Sequence, residues 1–426
     1  MQHFVNGVTE DALMRIVDKI CACAVRGQKA GVDVVQIHGD RLVGARCSTK
    51  LNYHTDKFGR SLENRTRFGL LLVRALKPAV PDLILDDKLS VVTPARSKGG
   101  VDEADAPQFA IWLEAAGVDM LHVGQANHTG NMADTIPPMC VQPCCFFADI
   151  TGAVKRAVSI PVSTSGRIID PSMAEDVLRS GKADMIGIGR ALLADPDWAN
   201  KAAAGNARDI VRCISCNEGC VDNVLNRGFI ACVVNPENGV EQSRIITPAK
   251  VKKTIVVIGG GPAGLDAARV AARKGHKLAP FEKETRLGGQ LRIAEVPPRK
   301  IEIRRAIEDL AQAIHAVGVV LRLGEIATTA TVQALTPDAV IVAVGASSVI
   351  PLFPGGDGPN VCDAWKVLAG EQNVSGREDI GGGVVGRETA EYLATKACAV
   401  AIVEMETGIA KGLSGSVAQI HRGFML

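Results

Sequence analysis

Residues 29–39 read KAGVDVVQIHG, residues 115–124 read AAGVDMLHVG, and residues 180–189 read SGKADMIGIG. Each stretch is a helix end closed by glycine and followed by a short apolar strand. Two further runs, ILDDKLS (Ile84 to Ser90) and IPVSTSG (Ile160 to Gly166), fit strands between them. Asp11 to Arg26 sets Leu13, Met14, Ile16, Val17 and Ile20 on one helical face. Five βα units by about residue 200 predict a parallel sheet covered by helices, and a uniform unit without a switch favours a barrel over an open sheet. Five strands do not close an eight-stranded barrel. The expected fold is therefore α/β, opening with a partial (β/α)8 TIM barrel over residues 1–205 whose first strands precede the sequence.

The character changes after Asn206. Cys213, Cys216, Cys220 and Cys232 are spaced C-x2-C-x3-C-x11-C, within an expected metal segment of residues 206–247. Four thiolates suit iron–sulfur or zinc. Structural zinc usually pairs two C-x2-4-C knuckles, whereas here one compact triplet has an outlier, and a redox module follows. The other cysteines, Cys144 and Cys145 among them, are scattered and read as buried or surface thiols.

A lysine-rich linker, Pro248 to Lys253, opens the third expected domain, residues 248–426. The run TIVVIGGGPAGLDAARVAARKGHKLAPFEKE begins at Thr254 and is strand, glycine turn and helix in succession. Gly259, Gly261 and Gly264 allow the tight turn and the close approach of a pyrophosphate to the helix N-terminus, and Glu282 stands where a ribose hydroxyl is bound. Gly288-Gly289-Gln290 is a second glycine turn. Gly381, Gly383, Gly386 and Glu404 repeat the spacing, which predicts a second dinucleotide site. The acid there favours NADH over NADPH, since it would repel a 2′-phosphate. The preceding run Val374 to Ile380 is too polar for a buried parallel strand, and Arg387 is expected to disturb the helix start. This Rossmann-like module is expected to be incomplete at its C-terminal end.

His38, Lys88, the loop with His128, Arg167 and Arg190 all fall at C-terminal ends of barrel strands, the face on which barrel enzymes place their sites. Arg167 and Arg190 suit a phosphate, and Lys88 suits the negative charge of a reduced flavin.

Composition excludes other classes. The 426 residues carry 48 Lys and Arg against 46 Asp and Glu, a net charge of +2, with the charges interspersed. No basic stripe points to nucleic acid. No apolar run reaches the roughly 18 residues of a membrane span, and no signal peptide is evident, so a cytoplasmic location is expected.

Together the residues resemble the iron–sulfur flavoenzyme branch of the old yellow enzyme superfamily: 2-enoate reductase, 2,4-dienoyl-CoA reductase and trimethylamine dehydrogenase. The marks are Val35 to Gly39 (VQIHG), Thr55 to Arg65 (TDKFGRSLENR), Ser165 to Ile168 (SGRI), Gly187 to Arg190 (GIGR) and Cys213 to Cys220 (CISCNEGC). IPPMCVQPCCFF is similar to the 2-enoate reductase branch. The resemblance implies FMN at the barrel mouth, with Lys88 near the pyrimidine and Arg167, Gly189 and Arg190 at the phosphate. It also implies FAD and NADH on the Rossmann-like module and a 4Fe-4S cluster. His38 would hydrogen-bond a substrate carbonyl, and His128 would be the remaining proton donor or substrate contact.

The implied activity is NADH-dependent reduction of an activated C=C bond in a small α,β-unsaturated carboxylate, thioester or ketone. An amine dehydrogenase of the same architecture and a non-catalytic remnant are the alternatives. The family's proton-donating tyrosine is absent after Gly39, where the sequence reads Asp40-Arg41-Leu42-Val43. A homo-oligomer is left open.

Overall fold

The computed structural model describes residues 2–92, 99–125, 135–139, 141–349 and 353–409. They form two compact units, one of residues 1–138 and 142–189, the other of residues 139–141 and 190–426.

The first unit carries five parallel strands that pair in chain order: β1 (Val34–His38), β2 (Ile84–Lys88), β5 (Met120–Gln125), β6 (Val162–Ser165) and β7 (Met185–Gly187). Two short strands, β3 (Ser90–Val92) and β4 (Val101–Asp102), extend it beside β5. Sequential order without a switch is barrel topology, as expected. The expected strand Ile84 to Ser90 is broken at Leu89, whose amide bonds back to the Asp87 carbonyl at 3.0 Å instead of joining the ladder.

Helices Glu10–Lys29 and Leu62–Ala79 cover the sheet. They bury Leu13, Val17, Val73 and Leu76 with Leu85, Leu121 and Val162. Among the described residues β1 pairs only with β2 and β7 only with β6, so the sheet has two open edges.

An acid at the entrance of one strand ties the strand before it. Asp119 accepts from the Leu85 amide (2.8 Å) and Asp184 from the Val162 amide (2.9 Å). Each is held by a lysine from the helix leading into the tied strand, Lys77 for Asp119 and Lys155 for Asp184.

The second unit contains the cysteine segment and a parallel sheet in the order β10 (Arg322–Leu323), β9 (Lys277–Glu282), β8 (Thr254–Ile258), β11 (Ala339–Val342). Here Asp338 ties the Thr254 amide at 2.7 Å in the same way. Helices Pro262–Arg273 and Ile303–Ala316 pack on this sheet through Leu265, Ala268 and Ile314. The polar run at 374–380 does form a parallel strand, β12 (Arg377–Gly381), beside β13 (Ala399–Val403). It stays largely exposed, and that is why its polarity is tolerated. Among the described residues no helix is long and apolar enough to cross a membrane.

Candidate active site and cofactor sites

His38 and Lys88 end β1 and β2 as register partners and therefore project from the same side of the sheet at its C-terminal rim. One step below on that face, Gln36 donates to Asp86 at 2.5 Å. Partial desolvation, then the Lys88 charge, hold the His38 imidazole below its ordinary range, with Asp40 opposing. The neutral ring keeps one N–H donor and one acceptor nitrogen. His128 lies outside the described residues.

Sequence reasoning missed His122. It stands on β5 and is held at both ring nitrogens by β6, Nδ1 to Ser163 Oγ at 3.1 Å and Nε2 to Ser165 Oγ at 3.0 Å. Burial, then the Lys88 charge, push it down to about 4, so it is neutral at pH 7. Gly124, two residues on, leaves room for the Lys88 side chain, whose Cε would lie 3.7 Å from a Cβ there. The available signal was the pattern His-x-Gly on an inward strand face, too short to weigh alone.

Arg167 is buried, in a left-handed backbone conformation (φ 54°), and its guanidinium donates to the Gln142 carbonyl. The Gln142 side-chain amide is also buried, with neither its nitrogen nor its oxygen partnered among the described residues. A cation beside an orphaned amide is a corner suited to a phosphate. At Gly189 a Cβ would meet nothing within 4 Å, so the backbone there is open to close approach. Arg190 donates to Asn217 Oδ1 at 2.5 Å and lines one pocket with Cys213, Cys216, Cys220 and Cys232.

Among the described residues no three His, Cys, Asp or Glu side chains converge on a single ion. Four thiols line this one pocket, a donor set that suits an iron–sulfur cluster or zinc. Burial pushes Cys216 up to about 12 and raises Cys220 and Cys232 as well.

In the second unit Gly259 turns with φ 116°, and a Cβ on Gly264 would stand 1.9 Å from the Gly259 carbonyl oxygen. Glycine is thus required for helix Pro262–Arg273 to start against the strand. The Glu282 carboxylate accepts from the Gly260 amide (2.5 Å) and the Glu284 amide (2.8 Å), and Gln290 donates to the Ala346 carbonyl (2.5 Å). Gly261 has only Gly289 near it, at 3.9 Å from a hypothetical Cβ, which leaves a shallow backbone cradle.

The second glycine turn has the same build. A Cβ on Gly386 would lie 1.8 Å from the Gly381 oxygen, Gly383 is open, and Glu404 accepts from the Glu406 amide at 3.0 Å. Helix Val384–Thr395 starts normally through Arg387, contrary to expectation, because that side chain is buried beside Glu388 and Glu391.

Residues 2–209 match the NADH:flavin oxidoreductase / NADH oxidase family, and residues 253–425 match the pyridine nucleotide-disulphide oxidoreductase family. Residues 2–209 belong to the NADH:flavin oxidoreductase / NADH oxidase family. The chain is 53% identical to the bilirubin reductase of Mediterraneibacter gnavus (strain CC55_001C) over 99% of its own length and 66% of the relative's. It is 39% identical to the NADH oxidase of Thermoanaerobacter brockii, over 95% of this chain and 63% of that one.

Among solved structures, 2-naphthoyl-CoA reductase in complex with 2-naphthoyl-CoA superposes with a TM-score of 0.90 at 26% identity, covering 98% of this oxidoreductase and 64% of that chain. The oxidoreductase thus spans about two thirds of the length of these relatives. The expected resemblance to the 2-enoate reductase-like branch of the old yellow enzymes holds. The cofactors of this architecture are FMN, FAD, a 4Fe-4S cluster and NADH.

Proposed function

We propose that the chain carries out NADH-dependent reduction of an activated C=C bond in a small α,β-unsaturated carboxylate, thioester or ketone, as a cytoplasmic enzyme. A homo-oligomer is compatible with this reading. The observation that carries it is the in-register pair His38 and Lys88 at the strand ends, beside a neutral, doubly held His122.

In this reading His38, neutral at working pH, donates its N–H to the substrate carbonyl oxygen and draws electron density from the β-carbon. Lys88 sets its positive charge beside the flavin pyrimidine, where reduction places negative charge. FMN, when bound, would supply the hydride chemistry. A proton completes the α-carbon, with His128 the proposed donor, so that the alkene gains two hydrogens as NADH is oxidised to NAD+.

Arg167, Gly189 and the backbone of Arg190 hold the FMN phosphate, while the Arg190 guanidinium faces the cysteine pocket. Gly259, Gly261, Gly264, Glu282 and Gln290 hold FAD, and Gly381, Gly383, Gly386 and Glu404 hold NADH. Cys213, Cys216, Cys220 and Cys232 hold the cluster. The corresponding domains are residues 1–205, 206–247 and 248–426. The relatives' names suggest acceptors to try, bilirubin and an aryl enoyl thioester first.

The test is an anaerobic absorbance spectrum of the purified chain, with iron, sulfide and released flavin counted, before and after NADH and then an enoate, enoyl thioester or bilirubin. About four irons with FMN and FAD, bleached by NADH and recoloured by an unsaturated acceptor, are expected. Bleaching by an amine but not by NADH would replace this reading with an amine dehydrogenase. A chain without flavin or iron would be a remnant.

A further inference from the structure

We propose that Arg190, held by Asn217, sets the reduction potential of the metal centre in the cysteine pocket by keeping one fixed positive charge against it. The proposal rests on the assignment of the four cysteines to an iron–sulfur cluster, and goes beyond it. Arg190 follows Gly189 directly, but its guanidinium turns to the cysteine loop, donating to Asn217 Oδ1 at 2.5 Å and lining the pocket with all four cysteines.

Asn217 is built for this. It lies inside CISCNEGC between two of the cysteines, is 1% exposed, and takes a left-handed conformation (φ 66°) that asparagine tolerates.

Each electron added to a thiolate-ligated cluster makes the site more negative. A fixed cation in a partly desolvated pocket favours the reduced form and raises the potential. Arg190 is thus a tuning residue, and Asn217 a positioning residue that acts through it.

The experiment is an anaerobic redox titration of the full chain, with its cofactors, followed by the cluster's electron paramagnetic resonance signal. Iron, sulfide and flavin are counted first for wild type, Arg190→Gln, Arg190→Lys and Asn217→Gly. Arg190→Gln should shift the midpoint negative by a tenfold change in the reduced-to-oxidised ratio at fixed potential, about 59 mV for one electron. Arg190→Lys, which keeps the charge, should restore most of it. Asn217→Gly, which keeps the left-handed backbone and removes the Arg190 tether, should shift in the same direction by less.

An unchanged midpoint in Arg190→Gln with full iron would overturn the proposal. If Arg190→Gln loses its iron, Asn217→Gly decides, with a negative shift in support and no shift against. Wild type without iron would overturn the cluster assignment as well, and the iron count separates that failure from the other.

Discussion

At the scale of single residues, two buried titratable groups pull stability in opposite directions with pH. His122 has a folded pKa near 4, below its ordinary 6.5. Between those values the unfolded chain takes up a proton that the folded chain does not, so stability falls as pH drops through that window. The loss is about 3 kcal/mol at its acid end. Denaturation of His122→Gln between pH 4 and 6.5 should show a flatter dependence than wild type, and equal slopes would refute the depressed pKa.

Asp87 is the converse. Burial, then Asp86, raise its carboxyl to about 8, so the folded state keeps a proton that the unfolded state releases, and stability is lost as pH rises from about 4 to 8. Asp87→Asn should therefore gain on wild type between pH 5 and pH 8, by a few kcal/mol in melts run in parallel. An advantage that does not grow with pH would show the carboxylate to be ionised in the fold. Neither group was legible in the sequence. ILDDKLS reads as a strand whatever its acids do, and one histidine in an apolar strand carries no signal until Ser163 and Ser165 are seen on the neighbouring strand. His38 and Lys88 were legible because each ends a strand of recognisable period.

At the scale of elements, the glycine turns are the most legible feature. Spacing alone located both, and in each the third glycine is where a side chain would strike a carbonyl of the first. Gly264→Ala and Gly386→Ala are expected to cost about 1–3 kcal/mol each through overpacking. Gly264→Ala should lower the FAD-to-protein ratio on purification, and Gly386→Ala should leave FAD in place but slow bleaching by NADH. The reverse pattern would exchange the two nucleotide assignments. The break at Leu89 was hidden because it depends on a backbone bond that leaves no mark on residue type. The meeting of Arg190 with Asn217 was hidden too, being a contact 27 residues apart in a segment without period.

For the molecule as a whole, the strand order of the first sheet followed from repeating βα units, and its open edges among the described residues from their number. Among the described residues the edge strands β1 and β7 each have one neighbour, whereas β5 lies between β2 and β6. Amide hydrogen exchange should be fast along Val34–His38 and Met185–Gly187 and slow at Leu121 and Val123, with the contrast largest at Val34, which is 42% exposed. Uniform protection across the five strands would mean that both edges are covered in solution.

The acids at the strand entrances also act as a register lock. Because Asp119, Asp184 and Asp338 each grip an amide at the start of the neighbouring strand, a slip by one residue would do more than turn side chains to the wrong face. It would pull a carboxylate off the backbone amide it holds. Alignment is thus set at one end of each pair and propagates along it, like the first tooth of a zip. Asp33 occupies the same place before β1, exposed at the open edge, so a parallel strand laid along Val34–His38 would be selected by the one alignment that brings its amide to that acid.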